Sequence, residues 1–327
     1  MSDEYESGVP LAQFMAQKDI DKLPSWIRAE AANARVVGEN NSSVELADGR
    51  RYLLSNPIND LSGADWTRFL CSVLNTNYST SGKEGYAHKI RKIHPTPKPP
   101  QLMRGLIEFF TKSGETVLDY FMGVGGSLLG ASLCGRRAVG IDINPLYVET
   151  YKKANAELGL PEQVAVVGDC AAIISDEAKM KDLLDGRQAG MILIDPPYAN
   201  MMSKEKTGAD IEIYGKTATP FSDSPFDLGN MHYDKFLTTF TEIVRRSLPY
   251  LKKKGYLVVF CKDMQPKKKT TNLLHAAIIE LVNGIDKLYY RGLKIWADQS
   301  TKLFPYGYPF DFVANQIHQY ILIFRKY

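Results

Sequence analysis

Four short apolar runs, each with an aspartate at its end, constrain this chain more than any other feature. Thr116 to Tyr120, Ala138 to Ile143, Val164 to Gly168 and Met191 to Ile194 read as strands, with Asp119, Asp142, Asp169 and Asp195 at or beside their carboxyl ends. Helical spacing fills the gaps between them, over Ser127 to Cys134, Leu146 to Leu158 and Ala171 to Leu184. Strands that alternate with helices bury their apolar faces by stacking helices on both sides of a mostly parallel sheet with right-handed crossovers. The alternation continues through helix Tyr233 to Leu251, strand Tyr256 to Cys261, helix Asn272 to Val282, and strands Leu293 to Ala297 and Tyr320 to Phe324. The expected fold is α/β, a doubly wound sheet of seven strands whose last member is an antiparallel insertion.

Gly190-Met-Ile-Leu-Ile-Asp-Pro-Pro-Tyr198 is the most informative of these runs. A central parallel strand is apolar on both faces, and prolines cannot donate to its ladder, so the sheet ends at Asp195. Asp195, Pro196, Pro197 and Tyr198 then lie at the carboxyl edge, where open α/β sheets bind ligands. Asp119-Tyr-Phe-Met-Gly-Val-Gly-Gly-Ser127 is a glycine-rich turn between a strand and its helix, suited to close approach of a ligand to the main chain. It is not a dinucleotide fingerprint, because Leu128 holds the position of the third glycine. Asp142 stands where such folds place a carboxylate for two ribose hydroxyls, and Asp169 ends the next strand. Three acids at consecutive strand ends favour a ligand with a ribose, an amine and an adenine amino group over one dominated by phosphates. Gly215-Lys-Thr217 ends like a phosphate-binding loop, but Asp210 occupies its first glycine position and no strand precedes it.

A length of 327 residues suits one large α/β domain with a smaller attached region. The divisions expected are an N-terminal α+β region over 1–92 and a main domain over 93–327. Within the former, Asp48-Gly49 sits between two strand-like runs as a hairpin signal, and Ala64 to Leu74 has helical spacing. No apolar run approaches the roughly 18 residues of a membrane span. The acidic, polar start does not resemble a signal peptide, so a soluble, cytoplasmic protein is expected. Cys71, Cys134, Cys170 and Cys261 are scattered, with no C-x-x-C pair and hence no metal site expected. The net charge of +3 says little, but basic residues cluster at Lys83 to Lys98, Arg91 among them, and at Arg245 to Lys269. Such clusters are solvated faces or phosphate-binding surfaces.

Taken together these motifs resemble the S-adenosylmethionine-dependent amino-methyltransferases of DNA. Val117-Leu-Asp-Tyr-Phe-Met-Gly-Val-Gly125 is similar to that family's V-L-D-P-F-x-G-x-G motif, with Tyr120 replacing the common proline. Asp195-Pro-Pro-Tyr198 matches its D-P-P-Y, and His94-Pro-Thr-Pro-Lys-Pro99 is similar to its H-P-T-x-K-P segment. The resemblance runs from about Ile93 to the C-terminus and implies a Rossmann-like class I methyltransferase fold, with S-adenosylmethionine as cofactor. Carried over position by position, it implies that Asp119, Phe121, Gly123 and Gly125 surround the methionine part of the cofactor. Asp142 would hold the ribose, Ile143 would lie beside the adenine, and Asp169 would receive the adenine amino group. Thr96, Lys98 and Pro99 would close the methionine side.

The implied reaction is methylation of adenine N6 in DNA, as in restriction–modification systems, on a base flipped from a duplex or on a single strand. Asp195 and the Pro196 carbonyl would accept the amino N–H groups, and Tyr198 would stack on the base. The same geometry serves cytosine N4 or an amine in RNA. Cytosine C5 chemistry is disfavoured, because it needs a Pro-Cys nucleophile and no cysteine here follows a proline. A reading of another class is an inactive nucleic-acid-binding subunit, motivated by Tyr120 and by the lack of room for the usual recognition domain. Target recognition is then expected from the first ~90 residues, the Ala199 to His232 loop and the aromatic Gln299 to Asn315 segment, or from a homodimer or partner subunit.

Overall fold

A computed structural model describes residues 8–199, 221–263 and 273–327. The stretch 200–220, which holds Gly215-Lys-Thr217 and most of the loop named above, lies outside the described residues, as do Lys267 to Lys269. The strands are β1 (Val9–Pro10), β2 (Arg35–Val37), β3 (Ser43–Glu45), β4 (Arg51–Leu53), β5 (Val73–Thr76), β6 (Thr116–Asp119), β7 (Arg137–Asp142), β8 (Val164–Val167), β9 (Ala189–Ile194), β10 (Leu251–Cys261), β11 (Leu288–Asp298) and β12 (His318–Lys326).

The first four form a small antiparallel sheet in the order β1-β2-β3-β4. The hairpin between β3 and β4 turns at Asp48-Gly49 as expected, with Val44 opposite Tyr52. Asp48 holds the turn by accepting from the Arg50 N–H at 3.0 Å and its Nε at 2.6 Å. Leu11, Ile20, Ile27, Val36, Val44 and Tyr52 give this sheet a core of its own. Polar bonds tie it to the main domain: Asn59 donates to the Phe109 carbonyl at 2.7 Å, and Asp60 pairs with Arg136 at 3.3 Å.

The main sheet has eight strands, one more than expected, in the order β5-β11-β12-β10-β9-β6-β7-β8. All neighbours are parallel except β12, which runs antiparallel between β10 and β11. The added strand is β5, which lies within the stretch read as helix and polar linker. The helix stops at Phe69, and β5 pairs with the outer edge of β11, where its side chains alternate between exposed and half-buried. Long-range bonds secure it: the Trp296 indole donates to Thr76 Oγ1 at 2.7 Å, and Lys294 reaches the Phe69 and Cys71 carbonyls. A short edge strand of this kind has no apolar alternation strong enough to read locally.

Two other boundaries shift. The helix from Tyr233 ends at Ser247 rather than Leu251, Pro249 lies in a following 3₁₀ turn, and β10 already starts at Leu251. The single helix expected over Ala171 to Leu184 is two, Cys170–Ser175 and Glu177–Leu183, because Asp176 caps the second by accepting from the Lys179 N–H.

All six residues of β9 are buried, and their alternation divides the core. Ile192 and Ile194 face one layer with Leu118, Val259, Phe236 and Phe240. Met191 and Leu193 face the other with Val117, Phe260, Leu106 and Leu128. This period of two, with helices on both faces, is how a central strand reads as a continuous apolar run. The chain builds β6, β7 and β8 outward in one direction and then returns to place β9 on the other side of β6. The crevice between the carboxyl ends of β6 and β9 is therefore the topological switch point, where doubly wound sheets bind ligands. Among the described residues no helix is long and apolar enough to cross a membrane.

Leu193→Ala removes a fully buried side chain from the strand that carries Asp195. It is expected to lower stability by about 2–5 kcal/mol, read as a fall in the urea midpoint with little change in slope.

Candidate active site

β9 ends at Asp195 because Pro196 and Pro197 follow, and the carboxylate is fully engaged. Its Oδ2 pairs with Lys98 Nζ, and its Oδ1 accepts from the Tyr198 hydroxyl at 2.7 Å. Lys98 is 6% exposed and its ammonium lies 5.3 Å from the centre of the Phe260 ring, on the neighbouring strand. Burial, and then the Asp195 charge, push the Tyr198 hydroxyl well above its usual range, so it remains a neutral donor. The next residue, Ala199, adopts φ 51, a left-handed conformation costly for a residue with a Cβ. Lys98 is thus placed against Asp195.

The glycine turn is organised from below by Asp119. This buried carboxylate accepts from the Phe121 N–H at 3.0 Å and from the Ser127 hydroxyl. Burial raises it to about 7, against the lowering effect of those two bonds, and Asp195 and Asp142 push it in the same direction as burial. Asp119 therefore shapes the turn from within. Tyr120, the departure from the usual proline, points away from the crevice into the core, with its hydroxyl 3.3 Å from Ser247 Oγ. Gly123 has φ 50, and its N–H donates to Asp142 Oδ2 at 2.8 Å. Gly125 has φ 75, and a Cβ there would lie 2.2 Å from the Tyr151 ring, so only glycine fits.

Asp142 also accepts from the Asn144 N–H at 2.8 Å. Burial raises its carboxyl to about 6, opposed by the Asn144 and Gly123 N–H bonds and reinforced by Asp227. Ile143 follows it, half-buried. Asp169 is the N-cap of Cys170–Ser175, with Oδ1 accepting from the Ala171 N–H at 3.0 Å. Of the His94 to Pro99 segment, Thr96 is exposed and donates its N–H to His94 Nδ1 at 3.1 Å, and Pro99 is half-buried at the start of helix Pro100–Phe110.

The partners of four residues about the site had no readable signal in the sequence, although His94 itself heads the motif segment. Arg91, expected among the solvated basic residues, is 1% exposed; it donates to the Val124 carbonyl at 3.2 Å and the Lys98 carbonyl at 2.5 Å. It clamps the glycine turn to the segment that delivers Lys98. Burial lowers its pKa to about 10, so it stays charged at neutral pH. His94 stacks on Phe221 at 5.2 Å and lies above Gly123; burial lowers it to about 4, so it is a neutral wall. Asp227 accepts from Ser222 and Gly229 at 2.7 Å each and secures the segment that carries Phe221. Asp263, just past β10, meets His275 Nδ1 at 2.8 Å, and that ring stacks on Tyr320 at 4.1 Å. Each of these groups meets its partner only through the fold.

The crevice thus gathers Asp119, Asp142 and Asp195, two of them raised because they are buried in like charge. A ligand bearing a sulfonium, an amine and ribose hydroxyls complements that set, whereas a phosphate would be repelled. The groups that S-adenosylmethionine presents fit these residues.

Residues 38–153 match the DNA methylase family. The chain is 35% identical over 104 residues to a tRNA (guanine(10)-N2)-dimethyltransferase of Pyrococcus abyssi, covering 32% of this chain and 29% of that protein. It is 40% identical over 68 residues to the type II methyltransferase M.HpaI of Haemophilus parainfluenzae, covering 21% and 22%. Against the type II methyltransferase M1.MboII of Moraxella bovis it is 32% identical over 103 residues, covering 32% and 36%. In each case the chain spans well under half the relative's length. Among solved structures, TrmN from Thermus thermophilus is a remote likeness, at TM-score 0.46 and 12% identity over 75% of this chain and 53% of that one. The DNA methylase match over residues 38–153 and the segments shared with type II methyltransferases support the resemblance to the S-adenosylmethionine-dependent N6/N4 amino-methyltransferases.

Proposed function

We propose that the protein methylates an exocyclic base amine in nucleic acid, with N6 of adenine in DNA as its target. The observation that carries this reading is the state of Asp195, a carboxylate at the switch point held at one oxygen by buried Lys98 and at the other by Tyr198.

An exocyclic amine is a weak nucleophile because its lone pair is delocalised into the ring. When the base arrives, one amino N–H replaces the Tyr198 hydroxyl at Asp195 Oδ1, while Lys98 keeps Oδ2 and so fixes the carboxylate. The carbonyl of Pro196, steadied by the fixed φ of its ring, accepts the second N–H. The nitrogen becomes tetrahedral and its lone pair turns toward the cofactor side. Released from Asp195, the Tyr198 ring is available to stack on the base, worth about 1–3 kcal/mol. S-adenosylmethionine, when bound, supplies a methyl on a sulfonium: the N–C bond forms as the C–S bond breaks. The surplus amine proton then leaves to Asp195 or to water. Alignment of this kind is worth up to about 7–11 kcal/mol, so a strongly basic residue is not required.

Asp142 is assigned to the ribose hydroxyls, Ile143 to the adenine face, and the Asp169 carboxylate to the adenine amine. Phe121, Gly123 and Gly125 border the methionine part on the turn that Asp119 shapes, and Thr96 and Pro99 border it from the other side.

Adenine in DNA is favoured by the aspartate heading the motif and by the DNA methylase match. A second reading, N2 of guanine in RNA, is favoured by the resemblance to tRNA (guanine(10)-N2)-dimethyltransferases. Cytosine N4 is compatible with the same geometry. Incubation with genomic DNA and with tRNA, followed by digestion and mass analysis, is expected to yield N6-methyladenine from DNA alone. N2-methylguanine from tRNA would replace the first reading with the second.

Asp195→Asn should slow transfer by about 10²–10³-fold, as loss of one positioned group does, while calorimetry finds cofactor affinity within a few-fold of wild type. Transfer at the wild-type rate would remove Asp195 from the chemistry.

Because the Asp142 carboxyl is raised to about 6, it is ionised at pH 8 and mostly protonated at pH 5. Its acceptor capacity for two hydroxyls is therefore lost as pH falls through that value. S-adenosylmethionine affinity should weaken over this window by about tenfold, and Asp142→Asn should show the weaker affinity throughout with a flatter pH profile.

A further inference from the structure

The connection between β11 and β12 carries the most exposed apolar side chains described. Leu303, Tyr308, Phe310 and Phe312 are 70%, 80%, 93% and 88% exposed. The loop is nonetheless built. Its neck is closed by a reciprocal pair, the Phe304 N–H to Asn315 Oδ1 and Asn315 Nδ2 to the Phe304 carbonyl, each at 2.8 Å. At its tip the Phe310 and Asp311 N–H groups both donate to the Gly307 carbonyl, at 2.7 and 2.8 Å. The loop surrounds an open concavity of about 520 Å³ lined by Tyr306, Tyr308, Phe310 and Phe312. Folded proteins seldom expose a contiguous apolar patch without a partner for it.

Register places this loop. Val259 pairs with Ile194, Cys261 with Tyr320, and Ala297 with His318, so the loop leaves the sheet at the carboxyl edge on which Asp195 stands. β5 ends at the same edge, where the Gln299 N–H donates to the Thr76 carbonyl at 2.9 Å. From there the chain passes through exposed Lys83, Lys89 and Lys92 to buried Arg91 and Lys98 at the site. The aromatic rings and the Asp195 carboxylate therefore stand on one edge, and helix His88–Arg91, which carries Lys89 and is followed by Lys92, packs against helix Pro145–Leu158 on the far side of Asp195 from the rings.

We propose that the 303–312 loop is a stacking platform for unpaired nucleotides of the substrate strand, with Lys89 and Lys92 holding its phosphates on the other side of Asp195. This rests on the nucleic-acid reading above and deepens it, because an exposed ring offers any base a face to stack on without reading its sequence. Cations across the carboxylate from the rings suit a polyanion and would be idle toward an apolar protein partner.

The test is anisotropy on the full chain with labelled oligonucleotides of about 15 nucleotides, as single-stranded DNA, single-stranded RNA and duplex DNA. Phe310→Ala should weaken single-strand binding about fivefold or more and the triple variant Tyr308→Ser/Phe310→Ser/Phe312→Ser about a hundredfold, with S-adenosylmethionine affinity unchanged. Phe310→Trp should bind like wild type, its indole emission quenched by the strand. The proposal is overturned if the triple variant binds strands as wild type does, or if wild type binds none of the three probes. It is also overturned if sedimentation shows that the rings hold two copies of this chain together and the triple variant only separates them. Strand binding that depends on the rings, without methyl transfer to any base, would leave the platform standing and remove the reaction instead.

Discussion

A strand buried on both faces has no freedom in where it ends, and β9 imposes that constraint on the whole site. Its alternation sends Ile192 and Ile194 into one layer and Met191 and Leu193 into the other, so neither face tolerates a slip of register. Two prolines then stop the ladder, and Asp195 is delivered to the crevice beside β6 to within the tolerance of a packed core. A carboxylate emerging there would be costly unless compensated. Lys98, from a segment 97 residues earlier, meets it, itself covered by the Phe260 ring. Arg91 holds the carbonyl of that same lysine and the glycine turn together. β9, the glycine turn and the segment preceding Pro100 are thus one interlocked unit.

The electrostatics follow from that packing. Asp119 and Asp142 lie in a crevice with little water and with like charges nearby, which raises both. Each is stabilised by main-chain or hydroxyl donors that also hold the glycine turn in shape. The unliganded site is therefore poised for a cationic, hydroxyl-bearing molecule. His94, kept neutral by burial, and Phe221 close one side without adding charge. The Tyr198 hydroxyl occupies Asp195 Oδ1.

Much of this was legible in the sequence, and the legible part shares a physical character. Central strands are continuous apolar runs, the acids and prolines stand at their ends, and glycines occupy the one turn where a Cβ would collide with Tyr151. The antiparallel last strand and the Asp48-Gly49 hairpin were readable for the same reason, since each is specified by neighbours in the chain. β5 was not, because its partner β11 lies more than two hundred residues away and its own pattern is weak. Arg91 was not, because a buried arginine looks like a surface one until the carbonyls of Val124 and Lys98 are brought to it.

By itself, then, the sequence determined the layered α/β architecture, the carboxyl-edge location of the acids and the motifs that carry the family resemblance. These rest on periodicity, proline and glycine stereochemistry, and short contiguous motifs. Only the tertiary structure decided which donors hold each acid: Lys98 and Tyr198 on Asp195, Ser127 on Asp119, and the Gly123 and Asn144 N–H groups on Asp142. It also decided that the aromatic loop and the lysines after β5 share an edge with the site. Partners far apart along the chain leave no local pattern, because their proximity arises from sheet order and register.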